Sequence, residues 1–194
     1  MPVFTCVPVP SGKNGLFLRI RSPFPSNVSN ASVIYTGPAT RISMNFQELI
    51  SPEKILLLDS PPGDKLDLMR TLLSRCLNGT EAAAQENAIW ESLMEREKSM
   101  STGIGMGVAI PHCSTEHVTE VQGTLALLRQ GIDFESADGK EVRIVALLLM
   151  PRNQVDQHIK TMAAVAKLLH NDDFRRRVLE AATAEDAHKL LASS

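Results

Sequence analysis

Apolar and polar positions follow different rhythms along this chain, and the rhythms divide it into elements. Lys54 to Leu58, "KILLL", is a short apolar run after Pro52, which predicts a strand that "SPPGD" then punctuates. Leu66, Met69, Leu72, Leu73 and Leu77 recur every three or four residues, so a one-sided helix follows, closed by Asn78-Gly79. Thr80 is placed to cap a second helix running through Ala88, Ile89, Trp90 and Leu93 to about Glu97. Three β-like segments come next, at 107–110, 121–129 and 141–150. The last, "EVRIVALLLM", is apolar almost throughout, as suits a central strand covered on both faces. Asp138-Gly139 signals a hairpin, which makes the last two strands antiparallel neighbours. Asn153 can cap a long helix with Val155, Ile159, Met162, Ala166 and Leu169 in one apolar stripe, and Asp172 and Thr183 open two shorter helices. Strands in the middle and helices at both ends predict an α/β fold, a single-domain sandwich of one small mixed β-sheet flanked by helices.

Composition changes this picture at the N-terminus. No acid precedes Glu48, while Lys13, Arg19, Arg21 and Arg41 sit among many Pro, Ser and Asn. The break near Met44 divides the chain into an atypical, flexible extension, residues 1–43, and a functional domain, residues 44–194. A translation start assigned upstream of Met44 would produce such a leader. Pro8, Pro10, Pro23 and Pro25 interrupt the amphipathic helix of an organellar transit peptide, and there is no continuous apolar segment of the secretory kind. The glycosylation triplets at Asn27 and Asn30 therefore carry no weight. With 43% hydrophobic and 22% charged residues the chain is globular, and a net charge of −2 supplies no concentrated basic surface for nucleic acid. Apolar runs such as Ile144 to Met150 fall short of the roughly 20 residues a membrane helix needs, so no membrane insertion is expected. Cys6, Cys76 and Cys113 are odd in number and far apart, which suggests neither a disulfide framework nor a zinc site and favours a reducing cytoplasm.

The chemistry concentrates in "STGIGMGVAIPHCSTEH", residues 101 to 117. Gly103, Gly105 and Gly107 lack dinucleotide spacing and lead into a strand, but missing side chains let backbone N–H groups approach an anion, which makes Gly107 a candidate phosphate-binding position. Pro111 restricts the backbone and removes an N–H, placing His112 at a strand end. Imidazole near neutral pH is nucleophilic and also a leaving group, the two properties a reversible group carrier needs. Taken alone, His112 reads first as a structural histidine, His158 as a core-edge histidine and Arg96 as a solvated helix-end residue. Ser101 and Thr102 either donate to phosphate or serve as turn residues. His112, Cys113 and His117 lack a fourth metal ligand, and adjacent residues on an extended segment point opposite ways, so Cys113 is no nucleophile with His112 as its base. Neither cofactor nor metal is implied. His170 and His188 read as surface residues, and Arg175 to Arg177 as a solvated face balanced by Asp172, Asp173 and Glu180.

"GIGMGVAIPH" and the upstream "EREKSMSTG" resemble the active-site segment of the enzyme IIA proteins of the bacterial sugar phosphotransferase system, in the mannitol/fructose class that includes the nitrogen-regulatory member. The resemblance runs from Met44 to the C-terminus. It implies a cytoplasmic histidine phosphocarrier with His112 as phosphoacceptor on Nε2, His158 positioning or stabilising the phosphoryl group, and Arg96 as a charge clamp able to pair with two phosphoryl oxygens. It also implies an HPr-type donor and, downstream, either an enzyme IIB cysteine or regulatory target proteins; a free-standing domain leans towards the regulatory branch. Cys113 departs from the glycine often found there and introduces a potential redox sensitivity. The alternative is a non-catalytic binding module that keeps the fold without phosphotransfer, like the cytoplasmic domains of anion exchangers, which lack the active histidine. Retention of His112, His158 and Arg96 together argues against it.

Overall fold

Nine of the ten residues from Val142 to Pro151 are buried, and the sheet is built around this strand. The computed structural model describes residues 46–192. The expected N-terminal extension and the two glycosylation triplets lie outside them. In chain order the elements are α1 (Phe46–Leu49), β1 (Ile55–Leu58), α2 (Lys65–Leu77), α3 (Glu86–Ser99), β2 (Gly103–Gly105), β3 (Val108–Ala109), β4 (His112–Thr115), β5 (Gln122–Ile132), β6 (Val142–Pro151), α4 (Val155–His170), α5 (Asp172–Leu179) and α6 (Ala184–Ala192).

The mixed sheet has six strands in the order β1-β5-β6-β3-β2, with β4 also paired to β6. β5 and β6 run antiparallel as the hairpin signal predicts, β1 lies parallel to β5, and β3 and β4 lie parallel to β6. Side chains alternate across β6, so each face receives half of its apolar residues. Val145, Leu147 and Leu149 pack with Met69, Leu72 and Leu73 of α2 and with Ile89 and Leu93 of α3. Ile144, Ala146 and Leu148 pack on the other face with Val165 and Leu169 of α4, Phe174 and Val178 of α5, and Leu191 of α6. This is the sandwich the pattern predicts.

Several local expectations need correcting. Leu66 is 46% exposed, and the buried face of α2 is carried instead by Leu68, Met69, Leu72, Leu73, Cys76 and Leu77. Asp64 closes that helix's N-terminus with a capping box completed by Asp67. Thr80 donates to the Leu77 carbonyl at 2.7 Å, finishing α2; a 3-10 turn over Glu81–Gln85 precedes α3. Asn153 does not cap α4: Gln154 takes the position, with no side-chain cap hydrogen bond. The buried seam of α4 is Thr161, Val165 and Leu169, while Val155 and Ile159 are 64% and 62% exposed. Asp172 is the first residue of α5, as expected, with Asn171 capping it through the Phe174 N–H, and Thr183 accepts from the Asp186 N–H ahead of α6. His188 is half-buried against the Gln47 carbonyl at 3.1 Å, not a free surface residue. Arg176 and Arg177 form the solvated face and pair with Asp173, but Arg175 does not belong to it: its side chain is only 13% exposed, pairs with Asp172 and donates to the Leu169 carbonyl at 2.8 Å.

Candidate functional site

β3 and β4 pair in turn along the same side of β6. Val108 and Ala109 face Ile144 and Val145 of β6, and His112 to Thr115 face Leu148 to Pro151 in the same continuing register. Pro111 separates the two strands but does not break the pairing, because its carbonyl still accepts from the Leu148 N–H at 2.9 Å. His112 therefore opens a strand instead of ending one. The glycines upstream make the tight return that delivers it. A Cβ on Gly103 would stand 2.9 Å from the Ser136 backbone, and Gly105 adopts a φ of +87°, open to glycine at little cost. The N–H of Met106, the residue after Gly105, donates to Asp138 at 2.9 Å, closing this loop onto the β5–β6 connection.

His112 Nδ1 lies 2.8 Å from the Ile110 carbonyl oxygen. A carbonyl can only accept, so Nδ1 carries the hydrogen and Nε2 keeps its lone pair. The Arg96 Nε–H, at the end of α3, donates to that Nε2 at 3.3 Å, and Arg96 Nη1 donates to the Met100 carbonyl at 2.9 Å. Burial pushes the His112 pKa below the ordinary histidine value; Arg96 and His158 push the same way, against the Ile110 hydrogen bond. His158, in the first turn of α4, stands edge-on to His112, with ring centroids 5.8 Å apart and an interplanar angle of 88°. Burial, and then the Arg96 charge, lower its pKa too. Its Nδ1 is 3.0 Å from the Ser114 hydroxyl. Ser114 escaped the sequence reading, although its place two residues beyond His112 on an extended segment puts it on the same face.

The other candidates are held elsewhere. Ser101 donates to the Phe134 carbonyl at 2.7 Å and accepts from the Gly103 N–H at 3.2 Å. The Thr102 hydroxyl and N–H both bond the Glu97 carboxylate, at 2.6 and 3.1 Å. The Gly107 carbonyl accepts from the Arg143 and Ile144 N–H groups. None of the described hydrogen bonds joins these three residues to the histidine pair. Glu97, buried beside Arg96, also meets Lys65 at 2.7 Å, and Lys65 reaches Glu135 at 2.8 Å. Burial works against the Lys65 charge, but the hydrogen bonds it donates to Glu135 and Glu97, with their negative charges, outweigh it and raise the lysine's pKa. Cys113 points the opposite way from His112, into the core beneath α2 and α3. Burial pushes its thiol up to about 12, which removes the thiolate that a redox role would need and corrects the expected sensitivity.

A neutral imidazole offering its lone pair beside a guanidinium, at the edge of a mixed α/β sandwich, can take an anionic electrophile onto Nε2 and neutralise its charge there. Fold and site together describe a covalent carrier of an anionic group. The chain belongs to the EIIA 2 family of the phosphoenolpyruvate-dependent sugar phosphotransferase system, whose model matches residues 48–194. It is 34% identical over 151 residues to a nitrogen regulatory protein of Bradyrhizobium diazoefficiens, covering 77% of this chain and 95% of that one. A fructose-specific EIIA component of Haloferax volcanii is 29% identical over 143 residues, covering 74% and 92%. Among solved structures, nitrogen regulatory protein IIA-Ntr of Neisseria meningitidis superposes with a TM-score of 0.67 at 27% identity, covering 75% of this chain and 98% of that one. The mannitol IIA protein of Escherichia coli shares the fold, with a TM-score of 0.61 at 20% identity over 73% of this chain and 98% of its own. Among the described residues, no helix is long and apolar enough to cross a membrane.

Proposed function

We propose that His112 is the phosphoacceptor of this family member and that an HPr-type phosphohistidine protein is its donor. The observation that supports this most directly is the His112 ring itself: Nδ1 is tied to the Ile110 carbonyl and Nε2 is free of hydrogen beside Arg96. In the transfer the donor's N–P bond breaks as a bond from phosphorus to His112 Nε2 forms, and the donor imidazole leaves with the electron pair. The hydrogen stays on His112 Nδ1, donated to the Ile110 carbonyl. Arg96 neutralises the phosphoryl oxygens, and His158 stands beside them; catalysis is positioning and charge stabilisation, with no acid or base required to move a proton. The next acceptor is an enzyme IIB cysteine or, in the nitrogen branch, the phosphorylation state itself governs target proteins. The 34% identity to a nitrogen regulatory protein, against 29% to a fructose-specific EIIA component, favours the regulatory branch. Cytoplasmic placement accords with the free, buried thiols of Cys76 and Cys113.

Intact-mass spectrometry at neutral to alkaline pH tests the assignment. After incubation with phosphoenolpyruvate, enzyme I and HPr, the wild type should gain one acid-labile phosphoryl group and His112→Ala none. Full labelling of His112→Ala would sink it. A folded wild type that stays unlabelled, when a known enzyme IIA labels in the same mixture, would favour the binding-module reading. Onward transfer to a sugar-specific enzyme IIB would place the protein in the transport branch.

A further inference from the structure

We infer that Ser114 is a positioning residue for the phosphoryl site: its hydroxyl donates to His158 Nδ1 and so leaves the His158 hydrogen on Nε2, available to a phosphoryl oxygen on His112. This rests on the phosphoacceptor reading above. His112 and Ser114 alternate along β4 and face Leu148 and Met150 of β6, so both side chains rise on the face that α4 crosses. Each imidazole of the edge-on pair is consequently held through Nδ1 by a group from this one edge of the sheet: His112 by the Ile110 carbonyl at 2.8 Å, and His158 by the Ser114 hydroxyl at 3.0 Å. The two anchors differ chemically. The carbonyl can only accept, which settles the His112 tautomer, whereas a hydroxyl can donate or accept.

Charge decides the second case. Arg96 already presents a cation to both rings, which favours a neutral His158, and a neutral imidazole has a single hydrogen to place. A phosphoryl group on His112 rewards that hydrogen on Nε2, because a hydrogen on Nδ1 would face only the serine. The Ser114 hydroxyl has no other described hydrogen-bond partner, so donation to Nδ1 satisfies both groups at once.

Long-range 1H–15N correlation of the imidazole rings reads the tautomer directly, in the full chain before phosphorylation. The wild type and Ser114→Thr should show the His158 hydrogen on Nε2 with Nδ1 accepting, and Ser114→Ala should shift towards a mixture of tautomers. The phosphorylation rate of Ser114→Ala should fall about fivefold, the ratio set by one ordinary hydrogen bond, with Ser114→Thr restoring it. A wild-type His158 carrying its hydrogen on Nδ1, or a Ser114→Ala ring and rate indistinguishable from wild type, would overturn the inference. The phosphoacceptor reading fails separately: the Nε2–H tautomer present in wild type, lost in Ser114→Ala, with no label on either protein, supports the serine–histidine hydrogen bond and removes its catalytic purpose.

Discussion

The end of α3 and the start of α4 both bring a charged or titratable side chain to His112, yet they are held by opposite means. At the end of α3, Arg96 bonds the Met100 carbonyl, Ser99 donates to the Arg96 carbonyl at 2.7 Å, and the next residue, Glu97, is buried against Lys65 and Thr102. At the start of α4, Gln154 supplies no cap through its side chain, Val155 and Ile159 face outwards, and the described side-chain tether of His158 is Ser114. The guanidinium is thus held by the Met100 carbonyl on a helix end that the buried Glu97 anchors to Lys65 and Thr102, while the second histidine depends on one hydroxyl and on the seam that begins at Thr161. A preset cation can stabilise a transferring phosphoryl group without reorganisation, and the loosely tethered ring beside it leaves room for that group to arrive.

Removing the preset cation should have the largest effect. Arg96→Ala is expected to slow phosphoryl uptake by about 10²- to 10³-fold, the cost of losing one preorganised charge-stabilising donor, with little change in the unfolding midpoint. Rapid-quench labelling with the HPr-type donor measures it, and a loss below threefold would break the comparison at its stronger end.

Loosening the network behind the cation comes next. Glu97→Gln keeps the shape but removes the charge facing Lys65, and should cost about 2 kcal/mol in urea unfolding because Glu135 retains a share of the lysine. A change under 0.5 kcal/mol would mean that the buried pair does not anchor α3.

A smaller effect appears on titration. Burial holds both His112 and His158 below the ordinary histidine value, so the unfolded chain binds protons that the folded one refuses as pH falls below about 6.5. The contribution of these two rings to stability is fully present above that pH and is lost as pH falls towards the depressed folded values. NMR titration should place both midpoints below 6.5, and Arg96→Gln should raise both by removing a nearby positive charge. A midpoint for either ring above the free-histidine value would contradict the burial argument.

The smallest effect belongs to the exposed face of α4. Val155→Thr and Ile159→Thr should each change stability by less than about 0.5 kcal/mol in urea unfolding. Losses of core size there would show these residues to be packed, contrary to their exposure.

Regular periodicity made the elements legible before their arrangement was known. Met69, Leu72, Leu73 and Leu77 announce the buried face of α2, the apolar run at 141–150 announces β6, and Asp138-Gly139 announces the pairing of β5 with β6. Periodicity misled where an apolar side chain belongs to no core. The apolar stripe of α4 runs through Val155 and Ile159, but the sheet-facing seam runs through Thr161, Val165 and Leu169, polar at one end. β2 and β4 were too short to show any rhythm.

By itself the amino-acid order determined the elements and, through the resemblance of its glycine-to-histidine segment, which residues to propose for phosphotransfer, since motif identity and side-chain type are local properties. His112 with its preceding proline, Arg96 sixteen residues earlier and His158 beyond the central strand are candidates on that ground. Only the tertiary structure decided how they meet. Parallel pairing of β4 with β6 turns His112 and Ser114 to one face and Cys113 to the other, and α3 and α4 approach that edge from separate packing layers. Tautomer, hydrogen-bond partner and depressed pKa all follow from that meeting, because they depend on distances of about 3 Å between residues far apart in the chain, which no pattern along the chain encodes.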